Sequence, residues 1–120
     1  MDENWDESIL DGPSTHADEQ SLDEILSLLS HQYVRYTLIY LSDHPTTTLD
    51  QLADVLTGLE AMETGTIAQT TDRERIRLRL YHSDLPRLDA AGYIDFDTET
   101  QTVTTVSIPP VVQSLLGIDT

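Results

Sequence analysis

The segment Thr71–Gly92, TDRERIRLRLYHSDLPRLDAAG, carries all but one of the six basic residues in this chain of 120 residues. Four of them occupy alternate positions in its first half: Arg73, Arg75, Arg77 and Arg79. A threonine or aspartate at the start and a glycine at the end are typical caps of an α-helix. The chain has a formal net charge of −16 and no lysine. Since one predicted helix holds nearly all of the positive charge, we interpret it as a recognition helix.

The apolar residues of this segment predict which face of the helix is buried. They recur at helical spacing: Leu78, Tyr81, Leu85 and Leu88. At roughly 100° per residue, Arg75 and Arg79 lie on the side away from this stripe, with Ile76 and Ser83 nearby. The pattern therefore predicts that Arg75 and Arg79 point away from the core.

Arg73 and Arg77 form a second pair, one helical turn apart on a flank of the same helix. Alternate residues of a helix do not share a face, so the four arginines form two pairs and not a single ridge. Pro86 lacks an amide hydrogen, and its ring crowds the preceding turn. We therefore expect the helix to kink near Tyr81 and His82, or to divide into two.

Two helices are predicted before this segment. Ser21 with Glu24 forms a capping box, and apolar residues at helical spacing extend the first helix to Asp43. Thr48 caps a short second helix whose apolar side ends before Gly58. Residues 60–70 show no clear period and predict a loop longer than the tight turn of a minimal helix-turn-helix.

A β-hairpin is predicted after Gly92, because the apolar period there falls to two. Its apolar positions are Tyr93, Ile94, Phe96, Val103 and Val106. The polar tip between them carries Asp97 and Glu99 and no cation. We therefore expect no strong contact between this tip and a phosphate backbone.

The chain divides into an acidic tail and one domain. Residues 1–20 carry many carboxylates and no sustained apolar period, so disorder is expected. Residues 21–120 form the domain, and a hydrophobic content of 38% is sufficient for a small core. A short C-terminal helix begins at Pro109–Pro110, with Val111, Leu115 and Ile118 expected to pack.

Several classes of protein are not expected from the composition. No apolar run approaches the roughly 20 residues that span a bilayer, and the acidic N-terminus does not resemble a signal peptide, so we predict a cytoplasmic protein without membrane contact. The absence of cysteine excludes disulfides and thiolate metal sites. The four histidines lack the spacing of a zinc site, and no phosphate loop or nucleophile elbow is present: His16, His31, His44 and His82. Neither an enzyme nor a cofactor is expected.

The low pI of about 4.1 ordinarily argues against binding to nucleic acid, because that affinity comes from Lys and Arg displacing counterions. The alternative is a proteome adapted to molar salt, in which excess Asp and Glu keep proteins soluble. The absence of lysine favours this alternative. At about 1 M salt the Debye length is about 3 Å, so repulsion between an acidic protein and DNA is mostly screened.

Three segments carry a resemblance to a known family: LDEILSLLS at 22–30, TLDQLADVL at 48–56 and LYHSDLPRLDAAGYIDFD at 80–97. With the predicted order of three helices and a hairpin, they resemble a winged-helix family of unknown function, abundant in haloarchaea and related to arsenical-resistance-repressor-type regulators. The resemblance covers residues 21–106 and implies a mainly α winged helix-turn-helix fold with a small β-hairpin. In that family the domain is inferred to bind DNA. Relatives often have a basic cluster where this chain has HQYVR at 31–35.

The leading hypothesis is a DNA-binding transcriptional regulator of a halophilic archaeon, with the third helix in the major groove of double-stranded DNA. Arg75 and Arg79 are the candidate base or phosphate contacts, and Arg73 and Arg77 are auxiliary phosphate contacts. Ser83 is a candidate neutral contact. We also expect a homodimer.

The alternative hypothesis is a winged-helix protein-interaction module without direct DNA binding. It dimerises through the first and last helices, or docks an acidic partner on the arginine helix. A purely structural role for the arginines is also open, in which they pair with Asp72, Glu74 and Asp84 on a solvated helix surface.

Overall fold

The computed structural model describes residues 21–118. Within that range the helices are α1 Leu22–Leu29, α2 Gln32–Asp43, α3 Leu49–Thr64, α4 Thr70–Arg79, α5 Leu85–Ala90 and α6 Pro110–Leu116. The strands are β1 Thr46–Thr48, β2 Ile94–Asp97 and β3 Thr102–Thr105. The protein is therefore mainly helical with a small antiparallel sheet. The predicted acidic tail, residues 1–20, lies outside the described residues.

The predicted first helix is divided into α1 and α2, so the prediction of one continuous helix to Asp43 is wrong. Its start is confirmed, since the Ser21 and Glu24 capping box is present. The break occurs at Ser30, whose hydroxyl donates to the Ser27 carbonyl at 2.6 Å, and at His31, whose backbone is extended. Arg35 Nη1 donates to the Leu29 carbonyl at 2.8 Å. Arg35 therefore satisfies a carbonyl that the break leaves free.

Helix α3 is longer than predicted. Thr48 caps its start by accepting from the Gln51 amide, as expected. However, the helix passes through Gly58 and ends at Thr64, where Gly65 takes a left-handed conformation with φ of 71°. The predicted loop over residues 60–70 is therefore reduced to the short connection between Thr64 and Thr70.

The sheet has three strands in the order β1-β3-β2, all antiparallel. The predicted hairpin is confirmed as β2 and β3, with Phe96 opposite Val103. Strand β1, a run of three threonines between α2 and α3, was not predicted and places Thr47 opposite Val103 on the other side. The α3 start is tied to the hairpin, because the Leu49 amide donates to the Gln101 carbonyl at 2.9 Å.

One hydrophobic core joins the helices to the sheet. Its fully buried members include Leu38 of α2, Leu52 of α3, Leu80, Val103 of β3 and Val112 of α6. Helix α6 begins at Pro110 as predicted, but Val112 is its buried residue, whereas Val111 and Leu115 are exposed. No helix within residues 21–118 combines the length and apolar character needed to cross a membrane.

The third predicted helix is present but interrupted, as Pro86 predicted. Helix α4 ends at Arg79, a π-helical turn spans Leu80–Asp84, and α5 follows with Pro86 in its first turn. The Leu85 amide donates to the Leu80 carbonyl five residues earlier. This wider turn inserts one residue into the helical register.

Candidate nucleic-acid interface

The buried face of α4 is not the predicted one. Ile76 and Leu80 are fully buried, whereas Leu78 is 52% exposed and Tyr81 is half-buried. The prediction failed because the π-helical turn shifts the apolar period between Leu80 and Leu85, so no single α-helical stripe fits both ends. Ile76, which was placed among the outward residues, anchors α4 in the core.

This change of phase moves the arginines to the two sides of α4. Relative to Ile76 and Leu80, helical geometry puts Arg73 and Arg77 on one side and Arg75 and Arg79 on the other. The first pair faces the start of α3, and we call it the α3-facing flank. The second pair reaches Tyr33 of α2, and we call it the α2-facing flank. Two separate pairs were predicted, and this division is confirmed.

The α3-facing flank is paired with two aspartates near the start of α3. Arg77 Nε donates to Asp50 Oδ1 at 2.7 Å, and Arg73 Nη2 lies 3.7 Å from the same oxygen. Arg73 Nε donates to Asp54 Oδ1. Arg77 Nη2 also donates to Gln101 Oε1 of the hairpin loop at 3.1 Å. The hydrogen bond from Arg77 lowers the pKa of Asp50, so this carboxylate is held in its charged form.

The α2-facing flank is organised around a buried tyrosine. Arg75 Nη1 donates to Tyr33 Oη at 2.9 Å, and the Tyr33 hydroxyl donates to Glu60 Oε1 at 3.1 Å. Burial raises the pKa of Tyr33, so its hydroxyl stays protonated and can donate. Arg75 Nη2 completes the cluster with Glu60 Oε1 at 3.2 Å. The Arg79 guanidinium lies 5.8 Å from the centre of the Tyr33 ring, within range of a cation–π interaction.

Arg79 is the least engaged of the four arginines. Its nearest carboxylate oxygen is Asp84 Oδ2, at 3.9 Å from Nε, and its side chain is 51% exposed. Within residues 21–118 it makes no hydrogen bond at normal distance to another side chain. Most of the N–H donors of Arg79 are therefore not engaged by other side chains of residues 21–118.

Asp84 is buried inside the π-helical turn. Arg87 Nη1 approaches Asp84 Oδ1 at 3.4 Å, while Oδ2 has no hydrogen-bond partner among the described residues. Burial raises the pKa of Asp84, although Arg79, Arg87 and His31 partly offset this effect. Ser83, the candidate neutral contact, is half-buried in the same turn.

The outermost ridge of α4 carries no arginine. Opposite Ile76 and Leu80 lie Thr71, Glu74 and Leu78, all three exposed. The apolar pattern did not predict this ridge, because it placed Leu78 in the core. The outward face of α4 is set by the burial of Ile76, which the apolar pattern alone did not indicate.

The arginine pairs foreseen with Asp72, Glu74 and Asp84 are all present, at 3.6 to 3.9 Å. The shorter contacts come instead from α3, through Asp50, Asp54 and Glu60. The hairpin tip is acidic as predicted, and Asp97 accepts the amide hydrogen of Glu99 at 2.9 Å. Within residues 21–118, no three histidine or carboxylate side chains converge to hold a metal ion. The surface around α4 therefore carries interspersed arginines and carboxylates.

The chain belongs to a protein family described as Domain of unknown function (DUF7344), whose model matches residues 26–104. That range includes all four arginines of α4 and the carboxylates paired with them. No curated protein and no solved structure matches the chain. The candidate interface therefore lies inside the family domain, and the description of the family assigns it no function.

Proposed function

We propose that the chain is a winged helix-turn-helix protein that binds double-stranded DNA through α4 and regulates transcription. The observation that carries the proposal is the strand order β1-β3-β2, with β1 between α2 and α3. The β2–β3 hairpin follows the interrupted third helix, which runs from α4 through the π-helical turn to α5 and bears the arginines in α4. In a winged helix-turn-helix the helix before the hairpin enters the major groove. Here α4 presents an exposed ridge with two arginines on each side.

The arginines have distinct parts in this proposal. Arg79 and Arg75, which are 51% and 54% exposed, contact base edges or phosphates, and a bidentate arginine on guanine contributes about 1–3 kcal/mol of discrimination. Arg73 and Arg77 contact phosphates and orient the helix without reading sequence. Ser83 stays the candidate for a neutral contact.

A chain of this charge binds DNA where salt screens repulsion. With 22 acidic residues against six basic ones and no lysine, the composition supports a halophilic, archaeal and cytoplasmic protein. At about 1 M salt the Debye length falls to about 3 Å, so charges away from the contact no longer act on the DNA. We also propose a homodimer, with its two copies of α4 about 34 Å apart to match one turn of DNA.

The test is retention of the full chain on random-sequence duplex DNA at about 1 M KCl, where Debye screening is strong. We expect the wild-type chain to be retained and the double variant Arg75→Glu/Arg79→Glu to be lost, with helical circular dichroism unchanged. Arg35→Gln, which alters a cation that binds the Leu29 carbonyl, serves as the control. Equal retention of the wild-type chain and the double variant would exclude α4 as the DNA contact.

A second candidate is a protein-interaction module that binds no DNA. One observation favours it: every α4 arginine already lies within 4 Å of a carboxylate, as given by the pairs of Arg73, Arg75, Arg77 and Arg79. Exposed Leu22 and Leu26 of α1, with Val111 and Leu115 of α6, supply apolar side chains for dimerisation. Two measurements separate the functions, since this module predicts that the wild-type chain is not retained on DNA and that Leu26→Glu converts a dimer to a monomer in light scattering.

A further inference from the structure

Asp50 lies between the two arginines of the α3-facing flank. One of its carboxylate oxygens accepts from Arg77 Nε at 2.7 Å and lies 3.7 Å from Arg73 Nη2. The Asp50 side chain is 61% exposed. A partner that arrives from solution therefore meets the arginines and this carboxylate together.

Other acceptors occupy further donors on this flank. Arg73 Nε donates to Asp54, and Arg73 Nη2 donates to the Asp50 carbonyl at 3.3 Å. Arg77 Nη2 donates to Gln101 Oε1 at 3.1 Å. A phosphate presents the same kind of charged oxygen acceptor as a carboxylate, and both use the planar fork of arginine donors. The N–H groups of Arg73 and Arg77 that donate to Asp50 and Asp54 are thus not free for DNA.

We infer that Asp50 and Asp54 compete with DNA phosphates for Arg73 and Arg77, and thereby set how tightly the chain holds DNA at a given salt concentration. The inference rests on the proposed DNA binding and adds its regulation. Both aspartates come from α3, whereas both arginines come from α4, so the competing charges belong to two adjacent helices of the same domain.

Salt controls this competition because the ion pairs are exposed. An exposed ion pair changes an equilibrium by a factor of only about 1.4 to 5 at moderate salt. As the Debye length shortens from about 8 Å at 0.15 M to about 3 Å at 1 M, the pairs weaken further. Low salt therefore keeps the arginines bound to α3, and high salt makes them available.

The test compares two aspartates in equivalent places. Asp50 and Asp23 each lie in the first turn of a helix, but Asp23 makes no ion pair within residues 21–118. Asp50→Asn and Asp23→Asn thus remove the same charge and the same favourable interaction with a helix N-terminus. Binding of each full chain to a random-sequence duplex is measured by fluorescence anisotropy at about 0.15 M and about 1 M KCl, which span weak and strong screening.

We expect Asp50→Asn to bind DNA about three- to tenfold more tightly than Asp23→Asn at the lower salt, because it releases two ion pairs. The difference in DNA affinity between the two variants should be smaller at the higher salt. Equal affinities of the two variants, or weaker binding by Asp50→Asn, would overturn the competition while leaving DNA binding intact. Absence of binding by wild type and by both variants at both salts would instead overturn the proposed function, and the inference with it.

A second variant covers the case in which Asp50→Asn loses helical circular dichroism. Asp54→Asn removes the partner of Arg73 Nε without altering the first turn of α3. It should also bind DNA more tightly than Asp23→Asn at low salt. If it does not, the aspartates are structural partners of the arginines and have no regulatory part.

Discussion

Asp84 is a buried carboxylate whose surroundings only partly compensate its charge. One oxygen has no hydrogen-bond partner among the described residues, and burial raises the pKa of the group. Because its folded-state pKa is raised, the stability linked to Asp84 is complete below the unfolded-state pKa and is lost as pH rises through the folded-state pKa. At neutral pH Asp84 therefore lowers the free energy of unfolding relative to a carboxyl with an unperturbed pKa.

We accordingly expect Asp84→Asn to raise the free energy of unfolding at neutral pH by about 1 kcal/mol, the low end of the cost of a buried acceptor left unpaired. Arg79 and Arg87 are half-exposed and can be solvated after the change. Chemical denaturation at pH 7 and at pH 4 is the measurement. The increase in the free energy of unfolding should be smaller at the lower pH. A destabilised variant at pH 7 would show that the two arginine pairs outweigh the burial.

Leu78 and Leu80 test the helical phase of α4. Leu80 is fully buried and Leu78 is 52% exposed. Leu80→Ala should therefore cost about 2–5 kcal/mol of stability, whereas Leu78→Ala should change it by no more than about 0.5 kcal/mol. Urea denaturation of both variants gives the comparison. A large loss of stability in Leu78→Ala would mean that Leu78 is buried, as the sequence pattern predicted.

The arginine pairs and their partners Asp72, Glu74 and Asp84 were predictable at the residue scale, but the closer partners on α3 were not. Helical spacing alone separates Arg73 and Arg77 from Arg75 and Arg79. The shortest contacts come from Asp50, Asp54 and Glu60 on a different helix, and these depend on how α3 packs on α4. Spacing within one helix contains no information on that packing.

Elements with local signals were predicted well, and elements held by distant pairing were not. The hairpin and the start of α6 follow from turn residues and from proline. Strand β1 is only three threonines long and exists through its ladder with β3, which lies more than fifty residues later in the chain. The break between α1 and α2 was missed as well, and there the Arg35 guanidinium donates to the Leu29 carbonyl, a side-chain contact that apolar spacing does not reveal.

Gly58 and Gly65 give a matched test of where α3 ends. Gly58 lies inside α3, whereas Gly65 ends it with φ of 71°, and an added Cβ meets no atom within 4 Å at either position. Gly58→Ala should stabilise the protein by about 0.5–1 kcal/mol through helix propensity. Gly65→Ala should destabilise it by about 1 kcal/mol, because alanine resists the left-handed conformation. Thermal unfolding of both variants is the measurement. Destabilisation by Gly58→Ala would mean that α3 ends before Gly58.

At the scale of the whole molecule, the charge balance of the α4 surface predicts an unusual response of DNA binding to salt. Four arginine contacts alone would give a slope of log affinity against log salt of about −3.6 for duplex DNA. Five carboxylates share this surface: Asp50, Asp54, Glu60, Asp72 and Glu74. As DNA approaches, these carboxylates take up cations, which contributes to the slope with the opposite sign.

We therefore expect DNA affinity to stay level or to rise as KCl increases from about 0.15 M to above 1 M, the range over which the Debye length falls from about 8 Å to 3 Å or less. Anisotropy titrations across this range give the slope. The double variant Asp54→Asn/Glu60→Gln should shift the slope toward negative values, because it removes two sites of cation uptake and keeps all four arginines. A wild-type slope near −3.6 would mean that the carboxylates leave the interface when DNA binds.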